Sequence, residues 1–373
     1  FKGTIAKNES GESERLVKEV LLPYRISGAP TLFHTAKKST ILVKDSLSIY
    51  LFSQDGWIQW KDSVQSPLIG KTYSGDLNKD GTPDYIFASR EKLYAVSGKD
   101  GRNLPGFPVK APQNIAFHTV SLIDYDNNRN YRILTSDQFG NVYMYDGQGK
   151  NLEGWTPRKL TRRLIAEPRH VRVMGKDLII AVQEDGKINV MNRRGEYYPG
   201  FPVNIKESLV ADYFIRIGPD FSGSAIIGLT KSGQFWSINL KGETKVKKQI
   251  YRPASRVEFS LVNDQKKSSF VLIRQALGKT EILDEEERLI LEREGAYNAK
   301  EVVSYYNYGA GHQYFIITDL NNYQSVVYNG LGKQLNNKPV DSTYPPALKE
   351  NEPKDKFLLF SVSDRKFSVK GYR

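Results

Sequence analysis

The chain has 373 residues, 39% of them hydrophobic and 26% charged, an ordinary globular composition with enough length to bury a large core. Cysteine is absent, which excludes disulfide scaffolds, thiolate metal sites, iron–sulfur clusters and cysteine nucleophiles. Lys and Arg outnumber Asp and Glu by 54 to 42, a net charge of +12, but the excess is spread and no nucleic-acid-binding motif accompanies it.

The basic residues group only briefly, at Arg158-Lys159 with Arg162-Arg163 and at Lys245 with Lys247-Lys248. They read as solubility with a bias toward protein partners, acidic glycans or anionic membrane surfaces, and nucleic acid is not expected. No stretch approaches the roughly 18 apolar residues of a membrane-spanning helix. The sequence opens on Phe1 without a signal peptide, so it reads as a mature or trimmed segment. A lipid anchor or further domain before Phe1 is an expectation.

One pattern recurs along the chain: a short strand, a turn with glycine, then a second strand. Its turns fall at Gly11, Gly56, Gly101, Gly149, Gly195, Gly242, Glu287 and Gly332, always 45 to 48 residues apart. That is close to the ~40–50 residue period of a four-stranded propeller blade. Glycine suits the turn because a tight hairpin needs positive φ.

Two earlier strands precede each such hairpin, as in HTVSLIDYD and YRILTSD before NVYMYD. Alternation of period two is expected in them, and no amphipathic helix of three turns is present. Four-stranded sheets of this kind stack radially around a channel. The C-terminal strands 357–363 and 366–372 lack a hairpin partner, which residues 15–24 can supply as an outer strand. The sequence therefore predicts an all-β fold, one domain over 1–373. It is a β-propeller of eight four-stranded blades, or seven if the Gly11 turn is coincidental. Its closing blade is built from 343–373 plus 1–24.

SIYLFSQDGWIQWK (48–61) resembles the repeat of the quinoprotein-like (PQQ-type) β-propellers. GDLNKDGTPDYIFAS (75–89) resembles the FG-GAP/VCBS repeat, and LPGFPV (104–109) and YPGFPV (198–203) are similar to an outer-strand signature of bacterial envelope propellers. The resemblance implies a fold shared by non-enzymatic BamB-like outer-membrane assembly proteins and by PQQ alcohol dehydrogenases. Four Trp, at 57, 60, 155 and 236, and no Cys depart from the enzyme pattern, so no PQQ is expected.

The sharpest local motif is Asp76-x-Asn78-x-Asp80-Gly81-Thr82-x-Asp84. Oxygen donors at alternate positions, with a carbonyl near Thr82, suit a hard cation such as Ca²⁺. One structural calcium is the expectation; the alternative is a run of Asx-turns. The next loop, 124–130, lacks the glycine and has Arg132 at the last ligand position. That guanidinium is expected to stand where the cation would, with no metal.

His34, His118 and His170 all fall in first strands, where imidazoles could line the channel or be satisfied in the core. A catalytic or metal role for them ranks below that reading. Tyr305, Tyr306, Tyr308, His312 and Tyr314 form either a contact patch for a protein or glycan or inter-blade core. No nucleophile elbow, phosphate loop or His-Glu-x-x-His motif appears.

The function expected is a non-catalytic protein-interaction scaffold in a bacterial cell-envelope complex, periplasmic or outer-membrane associated. Two alternatives remain: calcium-dependent binding or cleavage of acidic polysaccharide, as in a lyase, or the accessory domain of a larger enzyme.

Overall fold

The computed structural model describes residues 6–7, 13–34, 39–155, 158–296, 300–351 and 356–373. Every regular element among them is a strand. The strands form eight antiparallel sheets of four, one sheet carrying a fifth strand of two residues. The eight-bladed reading therefore holds over seven. The turn at Gly11, used to argue for the eighth blade, lies outside the described residues.

The chain divides into two compact units, Leu68–Asn263 and Phe1–Pro67 with Asp264–Arg373. In the first-named unit each sheet is a simple meander. One runs through Leu68–Gly75, Asp84–Ser89, Lys92–Val96 and Val109–Lys110, and the next through Phe117–Ile123, Arg132–Asp137, Asn141–Asp146 and Arg158–Lys159.

The second strands depart from the expected alternation. Ser39–Lys44 and Asp84–Ser89 are buried at every position, as a strand in the middle of its sheet with no exposed face requires. Alternation survives at first strands such as Glu301–Asn307, where buried residues alternate with more open ones. Last strands lie at the outer edge and turn polar: Thr244–Gln249, TKVKKQ, is exposed throughout. Its three lysines discourage another strand from pairing with that edge.

The recurring glycine answers two demands. Gly149 has φ of 76°, and a Cβ there would lie 2.9 Å from the Gly106 carbonyl oxygen of the preceding LPGFPV segment. Gly106 is caught in the same contact, since its own Cβ would come within 2.0 Å of the Gln148 carbonyl oxygen. The outer-strand signature and the repeat turn are thus two halves of one close main-chain approach between adjacent sheets. At Glu287 the turn keeps the conformation, φ 65°, without the glycine.

The closing sheet has the composite order expected. Ser13–Leu21 pairs antiparallel with Lys366–Tyr372, from Glu14 opposite Tyr372 to Leu21 opposite Lys366, with an irregularity between Leu16 and Lys18. Lys366–Tyr372 continues to Lys356–Ser363 and Ala347–Asn351. One face packs Phe360, Val362, Phe367 and Val369 against Ile41, Val43, Tyr50 and Phe52. The other packs Leu348, Phe357, Leu359 and Tyr372 against Tyr314, Ile316 and Val327.

Phe367 is fully buried, its ring centroid 4.4 Å from that of Phe52. Phe367→Ala should lower the unfolding free energy by about 3–5 kcal/mol, the usual cost of emptying a core aromatic site. Urea titration checks this. A loss near 1 kcal/mol would mean that the closing sheet is not an integral part of the cooperative core.

Candidate functional site

The Asp76–Asp84 loop is built by its own main chain. Asp84 Oδ2 accepts the amides of Leu77 (2.9 Å) and Asn78 (3.4 Å). Asp76 Oδ2 accepts that of Gly81 at 3.1 Å, and Asp80 Oδ1 that of Thr82 at 2.9 Å. These are Asx-type turns, and two cations join them. Arg129 Nη1 lies 2.7 Å from Asp76 Oδ2 and Lys99 Nζ lies 2.9 Å from Asp80 Oδ2.

Lys99 lowers the Asp80 carboxyl from its ordinary range. Burial raises that of Asp84 to about 6, against the pull of the Leu77 and Asn78 amides. Among the described residues no three His, Asp or Glu side chains converge as a ready-made metal cage. Asp76 Oδ1 is nevertheless buried without a hydrogen-bond partner among the described residues. An unsatisfied carboxylate oxygen in this loop fits a hard cation.

The following loop corrects the expectation for Arg132. Its guanidinium turns onto Asn130 Oδ1 at 2.8 Å and the Tyr131 carbonyl at 3.0 Å. The carboxylate of Asp126 is instead taken by Arg172 at 3.0 Å and Arg193 at 2.6 Å, from the next sheet. Those two bonded guanidinium groups hold Asp126 down to about 2. Arg129, also from this loop, is the residue that reaches Asp76. Sequence spacing could not distinguish the two arginines, because a turn at Asn128 to Asn130 points them in different directions.

The tyrosine run is mostly internal. Tyr305 is buried and stacks on Phe315 at 5.2 Å. Tyr306 and Tyr308 donate to the carbonyls of Pro346 (3.2 Å) and Leu348 (2.8 Å) in the closing sheet. These three therefore fit the inter-blade alternative rather than an open contact patch. His312 and Tyr314 differ. Both bond Glu350 Oε1, at 2.7 and 2.9 Å, and both line a cavity of about 390 Å³ beside the closing sheet.

The three first-strand histidines are each engaged separately. His34 Nδ1 lies 3.2 Å from Ser39 Oγ, and His118 Nε2 lies 3.1 Å from the Leu164 carbonyl oxygen. His170 Nε2 lies 2.7 Å from Asp177 Oδ1, with its ring edge-on to Tyr125 at 4.8 Å.

Two groups were missed by sequence reasoning. Arg169, only 7% exposed, pairs with Asp212 and the Tyr213 carbonyl, sits 3.6 Å from Glu167, and lies over the Tyr213 ring. Lys71 completes it, 3.1 Å from Glu167 and 3.7 Å from Asp212. Burial pushes the Asp212 carboxyl up, yet the Arg169 and Lys71 charges bring it below its ordinary range. Two cations balance two carboxylates, so the cluster is neutral in charge, although Arg169 Nε is buried without a hydrogen-bond partner among the described residues. No local pattern marks residues so far apart in the chain. The second group is Trp57 with Ile58, 63% and 47% exposed, whose aromatic-apolar pair reads in sequence as core.

No protein-family model matches the sequence, and no curated protein matches it. Solved structures do. BamB from Moraxella catarrhalis is 13% identical with a TM-score of 0.60, over 96% of this chain and 97% of that one. A quinohemoprotein alcohol dehydrogenase from Comamonas testosteroni is 8% identical with a TM-score of 0.59, over 96% and 76%. BBS1N, solved in complex with ARL6DN, is 13% identical with a TM-score of 0.54, over 82% and 92%. Likenesses this distant establish the eight-bladed β-propeller fold, which hosts enzymes and non-enzymes alike.

Burial is the main cause lowering the pKa of both His118 and His170, in the latter case despite the bond to Asp177. The native state then binds fewer protons than the unfolded chain just below pH 6.5, so stability is full above that value and falls as the pH drops through it. NMR titration should place both imidazole midpoints below 6.5, and urea unfolding should show lower stability at pH 5 than at pH 7.5. A midpoint above 6.5 at either residue would overturn the assignment.

Proposed function

We propose that this propeller is a non-catalytic protein-interaction scaffold and a subunit of a bacterial cell-envelope complex at the outer membrane. The observation that carries it is an exposed tryptophan held in place. The Trp57 ring lies under Lys18 Nζ at 3.6 Å. Gly56 beside it fits so closely that a Cβ would come within 2.8 Å of the Lys18 side chain. Ile58 follows Trp57 in the chain and Leu16 lies two residues before Lys18, each 47% exposed. A rigid, amphipathic, solvent-facing Trp is the residue type that dominates protein interfaces.

The histidines, in contrast, are used in local hydrogen bonds, which supports a binding role over turnover. BBS1N offers a parallel for a propeller of this fold engaging another protein. The envelope assignment rests on the LPGFPV and YPGFPV signatures and on the likeness to BamB.

Calcium enters this reading as a structural ion. Asp76, Asn78, Asp80 and Asp84, with the main chain at Thr82, would hold it, and the ion would compete with Arg129 for Asp76 and with Lys99 for Asp80. Calorimetry should detect one calcium per chain at millimolar concentration or below, lost in Asp80→Ala. Wild type taking up none would remove the ion from the reading without touching the scaffold.

The scaffold itself is tested by recovering the tagged protein from native envelope membranes with a photo-cross-linker at position 57. Partner recovery should fall at least about tenfold in Trp57→Ala, the loss expected for an interface hot spot. Cross-links that form equally from a site on the exposed Thr244–Gln249 edge, with Trp57→Ala binding unchanged, would overturn the assignment of this surface.

A further inference from the structure

In sequence the basic residues look scattered, but the fold collects a set of them at one place. The Leu68–Asn263 unit holds 29 Lys and Arg against 20 Asp and Glu, so it carries +9 of the chain's +12. At the end of its sheets that holds the Asp76–Asp84 loop, cations are met by carboxylates. Arg129 meets Asp76, Lys99 meets Asp80, and Arg172 and Arg193 share Asp126.

The other end differs. Its turns and connecting segments are laced together by main-chain hydrogen bonds: Phe117 N to Arg90 O (2.8 Å), Leu160 N to Gly140 O (3.2 Å), Glu184 N to Arg163 O (2.9 Å), Leu209 N to Glu184 O (3.1 Å) and Lys231 N to Ser208 O (2.9 Å). Along this rim Arg90, Lys110, Lys159, Arg162, Lys206 and Lys231 are all exposed, and none of the six has an ion pair among the described residues. The rim's own carboxylates do not neutralise them. Glu184 is taken by Arg163 at 3.1 Å and Glu207 lies 4.0 Å from Lys247, which leaves Glu91 and Asp185.

An exposed aromatic stands among these cations. Phe139, 59% exposed, is at the tip of the turn between Arg132–Asp137 and Asn141–Asp146. Asp137 Oδ1 accepts its amide at 2.8 Å. The neighbouring Gln138 side chain bridges the Ala116 amide (2.7 Å) and the Asn114 carbonyl (3.2 Å), so the tip is held in place. Lys159 lies opposite Asn141 in the adjoining strand, and a Cβ on Gly140 would meet the Arg162 carbonyl oxygen at 2.2 Å. Basic residues therefore occupy the segments packed against the turn that carries the ring.

We infer that this end of the Leu68–Asn263 unit docks on an anionic lipid surface, with the Phe139 ring at headgroup depth and the six cations over lipid phosphates. An aromatic ring favours the membrane–water interface, and each Lys or Arg close to an anionic leaflet adds to the attraction. The cations come from four sheets and the segments between them. That extent suits a surface of spread charge better than a single strand of acidic polymer. The inference does not rest on the scaffold reading, because Trp57 belongs to the other compact unit.

Flotation with vesicles of phosphatidylcholine, alone or with about 30% phosphatidylglycerol, tests it. The anionic vesicles should bind at least about tenfold more tightly than the neutral ones, and binding should weaken between about 0.1 and 0.5 M NaCl as screening requires. Reversing both charges in Lys159→Glu with Arg162→Glu should weaken binding at least about tenfold, and Phe139→Ser several-fold. Arg102→Glu reverses an exposed charge at the opposite end, where Arg102 lies 3.6 Å from Asp100, and should bind like the wild type.

Circular dichroism and urea unfolding confirm that the variants fold. Capture by immobilised polyglutamate without binding to anionic vesicles would assign the surface to an acidic polymer and overturn the inference. So would vesicle binding that is the same with and without phosphatidylglycerol, or binding unchanged in both the double reversal and Phe139→Ser. No binding at about 1 mM anionic lipid, a concentration far above a useful Kd, would overturn it too.

Discussion

A sheet whose middle strands are apolar on both faces cannot be left with either face bare, and everything else in this protein follows from covering them. The closing sheet shows the constraint most directly. Phe367 must meet Phe52 on one side while Phe357 and Tyr372 meet Tyr314 on the other. Only by recruiting Ser13–Leu21 from the opposite end of the chain does Lys366–Tyr372 gain a hydrogen-bonded neighbour on its outer edge. The pairing joins residues more than 340 positions apart, at a loop-closure cost that burial of two core faces offsets.

Close stacking then restricts what the turns can be. Where Gly106 and Gly149 approach through their main chains, any side chain would collide with a carbonyl. Polar residues are similarly constrained. Asp76 and Asp126, at corresponding loops, are each held by arginines from the sheet that follows, and Arg169 is paired within a self-neutral cluster. Removing one member of such a buried set leaves a charge without compensation, which is far more costly than the set is stabilising. These ionisable groups are thus engaged in holding neighbouring strands and loops together.

What remains for function lies where the packing is incomplete. Trp57 stands at the outer end of its sheet, held by Lys18 but uncovered. A cavity of about 390 Å³ lies beside the closing sheet. The first is an exposed surface and the second a recess. The distant structural likenesses, spanning a dehydrogenase and propellers of other kinds, leave the choice of function to such sites rather than to the fold.

The sequence by itself determined the repeat and the composite closing blade and narrowed the sheets to eight or seven, because glycine turns and strand-length apolar runs are local signals set by φ and by period; the structure decided for eight. It also marked the Asp76–Asp84 loop, whose donors fall at alternate positions of one short segment. It could not decide that Tyr305, Tyr306 and Tyr308 are internal while Trp57 is exposed, since both are aromatic residues in or beside strands. Nor could it choose Arg129 over Arg132 as the partner of the preceding loop, or bring Lys71, Glu167, Arg169 and Asp212 together. Those outcomes depend on which face of each sheet meets its neighbour. That is a property of three-dimensional stacking, and no spacing along the chain records it.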